Sequence, residues 1–193
     1  MLQKQLQHYI EEHIQNNEIA LFAIEKDFVE KHQLLPTEVT VIDKALLLDV
    51  LERCNKETED LISAEPKEFL QQPISYLKEH PIEFVYAEST VFDVIRIDAV
   101  ALEFDDAFKA YTALFGLKLQ KKFGDAIRAY FEGNVAKMIG NYSVSFSGQD
   151  GLWEVNVALN CIDGFTEAQT FEESYALLYR FIFNLIEAAD EAQ

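Results

Sequence analysis

The sequence predicts an α+β fold in which an N-terminal helical region precedes an antiparallel sheet built from two hairpins, and three observations support this. Apolar residues recur at spacings of three and four through much of the region before Pro81. After Pro81, β-branched and aromatic residues become dense in runs bounded by turn residues. From Thr166 or Thr170 onward the helical spacing returns as one broad apolar stripe.

Taken in order, Leu2, Leu6, Tyr9, Ile10, His13 and Ile14 predict an amphipathic helix over 2–15, which Asn16-Asn17 interrupts. The segment from Ile19 to His32 fits a second helix after Ile24, with its first half open between helix and strand. Beyond the break at Pro36-Thr37, the spacing of Leu46, Leu47, Val50, Leu51 and Cys54 predicts a third helix running to about Ile62. Pro66, Pro73 and Pro81 each forbid a helix interior but suit a first turn, so short helices are expected over 67–71 and 74–79.

Ile82 to Tyr86 and Val91 to Phe104 predict two strands of a hairpin, turned at Glu88-Ser89-Thr90. Asp105-Asp106 is expected to cap a helix carrying Phe108, Tyr111, Leu114, Phe115 and Leu119. After Gly124-Asp125, another helix holds Ile127, Tyr130, Phe131, Val135 and Met138. Residues 142–161 alternate on both sides of Gly148-Gln149-Asp150-Gly151 and predict a second hairpin. The final helix carries Phe171, Tyr175, Leu178, Phe181, Ile182, Leu185 and Ile186.

The predicted order after Pro81 is therefore ββααββα, with helices on one face of the sheet. A helical region over 1–80 is expected to pack on the 81–193 sheet region as one unit. The order resembles that of small acidic secretion chaperones in architecture alone, and a shared architecture implies no function.

Charge bounds the function. The chain carries 34 Asp plus Glu against 16 Lys plus Arg, a formal net charge of −18. Residues 1–97 hold 19 acidic and 9 basic side chains and 98–193 hold 15 and 7, so the acidity is spread and is no tail. Such a field repels phosphates, and the short basic stretch Lys118, Lys121, Lys122 and Arg128 is too small to reverse it, so no nucleic-acid partner is expected. Cys54 and Cys161 form no C-x-x-C pair and read as buried thiols. The polar first residues and the lack of a long apolar run predict no signal peptide and no membrane span, which points to a cytoplasmic location.

Chemistry is sparse. His8 and Glu12 lie four apart on one helix, but His8 and His13 are five apart and sit on different sides of it, so no metal site is expected. The sequence contains no nucleophile elbow, catalytic-cysteine segment or glycine-rich phosphate loop, and no cofactor is expected. Asp93, Arg96 and Asp98 interrupt an apolar run, and as strand residues Arg96 and Asp98 would share a face. They are candidates for ligand binding, against the plainer reading of a sheet ion pair or a pair on a solvated face. Trp153 is a fourth candidate by stacking, although cross-strand packing against Phe146 and Tyr142 explains it as well. The reading leans away from an enzyme. It favours an acidic protein-interaction module, a regulator, adaptor or chaperone-like protein with a protein partner or a homodimeric state. The alternative is a small-molecule binding protein, or an enzyme, using a sheet-helix cleft near Arg96 and Asp98.

Overall fold

The computed structural model describes residues 1–138 and 140–192. Helix α1 (Leu2–His13) buries Leu2, Leu6 and Ile10, one residue per turn. Asn16 and Asn17 then adopt positive φ, which ends the helix and turns the chain into strand β1 (Glu18–Leu21). Helix α2 (Ala23–Lys31) follows, and β2 (Thr40–Asp43) pairs parallel to β1.

Seven further strands form one antiparallel sheet. In chain order they are β3 (Val50–Asn55), β4 (Leu61–Ala64), β5 (Glu83–Glu88), β6 (Ala99–Asp105), β7 (Ala110–Leu117), β8 (Tyr142–Ser147) and β9 (Leu152–Ala158). Their order in space is β4-β3-β5-β6-β7-β9-β8. Between β4 and β5 lie a 3-10 turn (Lys67–Gln71) and the one-turn helix α3 (Tyr76–Glu79). Helix α4 (Gly124–Asn134) joins β7 to β8, and α5 (Phe171–Glu191) closes the described chain.

Three expectations are corrected. The third helix over Leu46 to Ile62 is the β3–β4 hairpin, so the region over 1–80 is not helical throughout, and β3 and β4 join the same sheet as β5 to β9. Leu51 pairs with Ala87 and Cys54 with Phe84, on opposite faces of the sheet, and the spacing of three that resembled a helix comes from a strand with apolar residues on both faces. The helix expected after Asp105-Asp106 is strand β7. The Asp105 carboxylate does accept from the backbone N–H of Ala107 (2.8 Å) and Phe108 (3.0 Å), but these bonds close a β6–β7 hairpin turn and do not start a helix. The single strand expected over Val91 to Phe104 is a 3-10 turn (Thr90–Ile95), capped by the Ser89 hydroxyl on Val91 N–H at 3.0 Å, and only then β6. The observed order is thus not the ββααββα order on which the architectural resemblance rests.

The second hairpin is as expected, with β8 and β9 in register from Tyr142↔Val157 to Ser147↔Leu152. Helix α5 starts at Thr170, whose hydroxyl accepts from Glu173 N–H (3.2 Å) while the Glu173 carboxylate accepts from Thr170 N–H (2.8 Å). Twelve of its 21 residues are buried, too many for a helix covered on one side only. The Tyr175 hydroxyl points to the Val85 carbonyl on β5 at 3.4 Å, Phe183 meets Phe28 of α2, and Phe181 meets Phe131 of α4. Gly124 opens α4 because Trp153 lies against it: an added Cβ there would sit 2.6 Å from the indole ring.

Candidate functional site

Two surface features gather side chains that chemistry or recognition can use. The first is a cleft of about 800 Å³ between α1 and the Thr90–Ile95 turn. Helix α1 lends Gln5, His8, Tyr9, Glu12 and His13, the segment after β2 lends Lys44 and Asp49, and the far wall holds Thr90, Asp93, Arg96 and Lys118. Gln5 Nε2 bridges the two walls by donating to the Asp93 carbonyl at 3.2 Å. Asp49 accepts from Thr90 N–H at 2.8 Å and fixes the start of the turn.

Arg96 ends that turn with φ 58° and ψ 38°, the left-handed conformation that stops a helical turn. Its carbonyl accepts from Lys118 N–H at 2.9 Å, and its Nη1 donates to the Lys118 carbonyl at 3.2 Å. Lys44 reaches into the interior beside the cleft, where its ammonium lies 4.0 Å from the Tyr9 ring centre and 3.2 Å from a Glu25 carboxylate oxygen. Burial pushes the Lys44 pKa down, with Glu25 opposing. Glu25 also accepts from Phe22 N–H at 2.9 Å and from the Tyr179 hydroxyl.

Of the four residues singled out from sequence, two line this cleft. Asp93 is exposed in the 3-10 turn and Arg96 caps it. Asp98 lies just before β6 and pairs with Lys118 on the cleft wall, so Arg96 and Asp98 are not strand neighbours on one face and do not pair with each other. Trp153 is elsewhere: it is 1% exposed, edge-on to Phe146 with ring centres 5.1 Å apart, in the sheet core where stacking on a ligand has no room. Sequence reasoning passed over Lys44, although a lone lysine in the apolar stretch Val41 to Leu48 was a usable signal.

The second feature is the sheet face turned away from α5. Burial alternates along β5, β6 and β7, so Val85, Ala87, Val100, Leu102, Ala113 and Phe115 are buried while the residues between them stay half-exposed. Register puts Tyr86, Ala101 and Leu114 in one row on that open face, with Phe84 on the next row beside Glu103. Phe84 and Leu61 pair with Cys54 from its two sides, which carries the apolar strip to the edge strand, where Leu61 is 56% exposed.

Carboxylates surround this strip. Glu52 pairs with Tyr86, Glu88 ends β5, and Glu154 of β9 pairs with Gly116 on the same face. The Tyr86 hydroxyl donates to Glu88 at 2.5 Å, and its pKa is pushed up to about 12 by burial, then by Glu88, Glu52 and Asp98. Lys56, paired with Glu103 at 3.6 Å, and Lys118 are the basic side chains set against this group.

His8 and Glu12, both exposed in the cleft wall, meet at 3.4 Å. Among the described residues, no helix is long and apolar enough to cross a membrane. Comparison with protein-family models, with curated proteins and with solved structures finds no match for this chain.

Proposed function

We propose that the protein is a non-enzymatic interaction module that docks a basic partner polypeptide on the open face of its sheet. The observation that supports this is the half-exposed strip Phe84, Tyr86, Ala101 and Leu114 set among Glu52, Glu88, Glu103 and Glu154. An apolar centre supplies the contact area and the carboxylates supply steering and register. A second copy of the chain fits less well, because it would bring like charges together, and so would a nucleic acid, whose phosphates the same carboxylates repel.

The test is affinity capture from native extract with the intact chain, with Glu52→Lys/Glu88→Lys, and with Glu11→Lys/Glu30→Lys as a charge-matched control on the helices. The expected result is a partner richer in Lys and Arg than in Asp and Glu, released as salt rises, lost with the sheet-face variant and kept with the control. Equal capture by both variants, or capture indifferent to salt, opposes the reading.

A further inference from the structure

We propose that the cleft between α1 and the Thr90–Ile95 turn binds a small anion, a carboxylate- or phosphate-bearing molecule, with Arg96 as its anchor. The site is separate from the sheet face and stands or falls independently of it.

The argument begins with an arginine that has not taken a carboxylate. In a chain where 34 acidic residues face 16 basic ones, Asp93 and Asp98 lie within three positions of Arg96. Yet the Asp98 carboxylate goes to Lys118, and among the described residues no carboxylate makes an ion pair with Arg96. Arg53, by contrast, holds Glu65 at 2.6 Å and Glu83 at 3.1 Å.

The guanidinium is also held in place. Its Nη1 donates to the Lys118 carbonyl, while the hydrogen bond from Lys118 N–H to the Arg96 carbonyl and a left-handed conformation, uncommon for a residue with a side chain, fix the backbone from which it extends. Its Nε has no acceptor in the chain but is shut off from solvent, so a ligand meets the guanidinium at its Nη atoms. Arginine presents five N–H donors in a planar fork that matches a carboxylate or phosphate, and here only Nη1 has a protein acceptor. Fixed, unfilled donors are what an anion site supplies before its ligand arrives.

The surroundings agree in size. The cleft lining carries Lys44, Arg96 and Lys118 against Glu12, Asp49 and Asp93, but Lys44 holds Glu25 and Lys118 holds Asp98, so Arg96 is the one of these three cations that pairs with no carboxylate among the described residues. Asp49 is engaged with Thr90 N–H. A cleft of about 800 Å³ lies in the range of sites for small metabolites.

The experiment is calorimetric titration of the full chain at low ionic strength with inorganic phosphate and, separately, with citrate, accompanied by hydrogen exchange with and without each anion. The expected result is saturable binding of at least one, with slowed exchange confined to α1 and residues 90–97. Which anion binds tells phosphate from carboxylate recognition. Arg96→Gln is expected to weaken binding at least tenfold and Arg96→Lys, which keeps the charge but not the fork, to weaken it less. Arg128→Gln, on α4 and outside the cleft lining, should leave it unchanged. The exchange map of the unaltered protein decides the matter if Arg96→Gln folds poorly. Failure of both anions to bind saturably, protection elsewhere, or undiminished binding by a folded Arg96→Gln overturns the proposal.

Discussion

The Lys44 ammonium and the Glu25 carboxylate meet at 3.2 Å in the protein interior, with the lysine side chain 5% and the glutamate 0% exposed. The pair ties the segment after β2 to α2, and the Tyr179 hydroxyl adds α5. Desolvating both charges offsets much of their attraction, so the pair itself adds little, but either member alone would be a buried uncompensated charge. Lys44→Met is therefore expected to cost about 3–5 kcal/mol. The double variant Lys44→Met/Glu25→Gln, which removes both charges, keeps an acceptor for Phe22 N–H and turns an amide N–H toward the Tyr179 oxygen, should cost clearly less than the sum of the singles. Urea unfolding of the four proteins measures this, and simple additivity would contradict it.

Alkali is expected to unfold the protein. Burial pushes the Tyr175 and Tyr179 hydroxyls well above their ordinary value, and Glu25 adds to the effect on Tyr179. These groups stay protonated in the folded state when the unfolded chain has ionised, so the folded state binds more protons and stability falls as pH rises. The loss begins near the unfolded tyrosine pKa of about 10, at about 1.4 kcal/mol per pH unit for each tyrosine. Cys54 and Cys161, also raised by burial, act in the same direction from their lower ordinary value. Lys44 acts oppositely, since its folded pKa is lowered, but only up to its unfolded value of about 10.5. Unfolding free energies between about pH 9 and 11 should fall with a slope that Tyr175→Phe reduces. A flat profile would show that these hydroxyls ionise without unfolding.

Burial also sets the cost of removing rings from α5. Phe171 is 0% and Phe181 5% exposed, the first against Phe69 with ring centres 5.2 Å apart and the second against Phe131 at 5.4 Å. Phe171→Ala and Phe181→Ala are each expected to destabilise the fold by about 3–5 kcal/mol. Thermal unfolding midpoints unchanged in both would mean that α5 does not pack where it is described.

What the sequence made legible follows from how much of each element's packing is local. The β8–β9 hairpin has its turn residues in the sequence, and β9 alternates cleanly because one face is buried and the other exposed. Helix α1 showed a stripe for the same reason, and α5 showed a broad one because it is covered on more than one side. Strands β3 and β7 did not, because each carries apolar residues on both faces, which erases the period of two. At β7, Tyr111, Leu114 and Phe115 mimic a helical spacing although Leu114 faces away from Phe115. Asp105 was misread because an aspartate that caps a helix and one that closes a hairpin make the same hydrogen bonds to following N–H groups. In the cleft, Asp93 and Arg96 were visible as charges in an apolar run, but their geometry was not, since Arg96 ends a 3-10 turn whose left-handed cap leaves no sequence pattern in an arginine.

Nucleic acid is not expected to bind at physiological salt. The −18 charge opposes the approach of phosphates, and the cationic groups near Lys118 are partly engaged, Lys118 with Asp98 and Arg128 with Asp125. Fluorescence anisotropy with duplex and single-stranded probes tests this, and salt-sensitive micromolar binding would refute it.

The last expectation concerns self-association, because the proposed docking face exists on every copy. If two chains met through it, Tyr86 and Leu114 would gain cover, but Glu52, Glu88, Glu103 and Glu154 of one copy would approach the same four of the other. Lys56 and Lys118 stand against them, and both already hold carboxylates of their own chain. Repulsion between the rims should then keep the chain monomeric at low salt. Added salt screens this repulsion within a Debye length of about 10 Å at 0.1 M, so any dimer formed through this face should strengthen as salt rises. A complex with a basic partner depends on attraction across the same rim and should weaken over the same range. Sedimentation velocity of the chain alone at low and high salt, repeated with Leu114→Glu, separates the cases. A monomer at low salt agrees with docking of a basic partner. A stable low-salt dimer that Leu114→Glu dissociates would assign the face to a second copy of the chain.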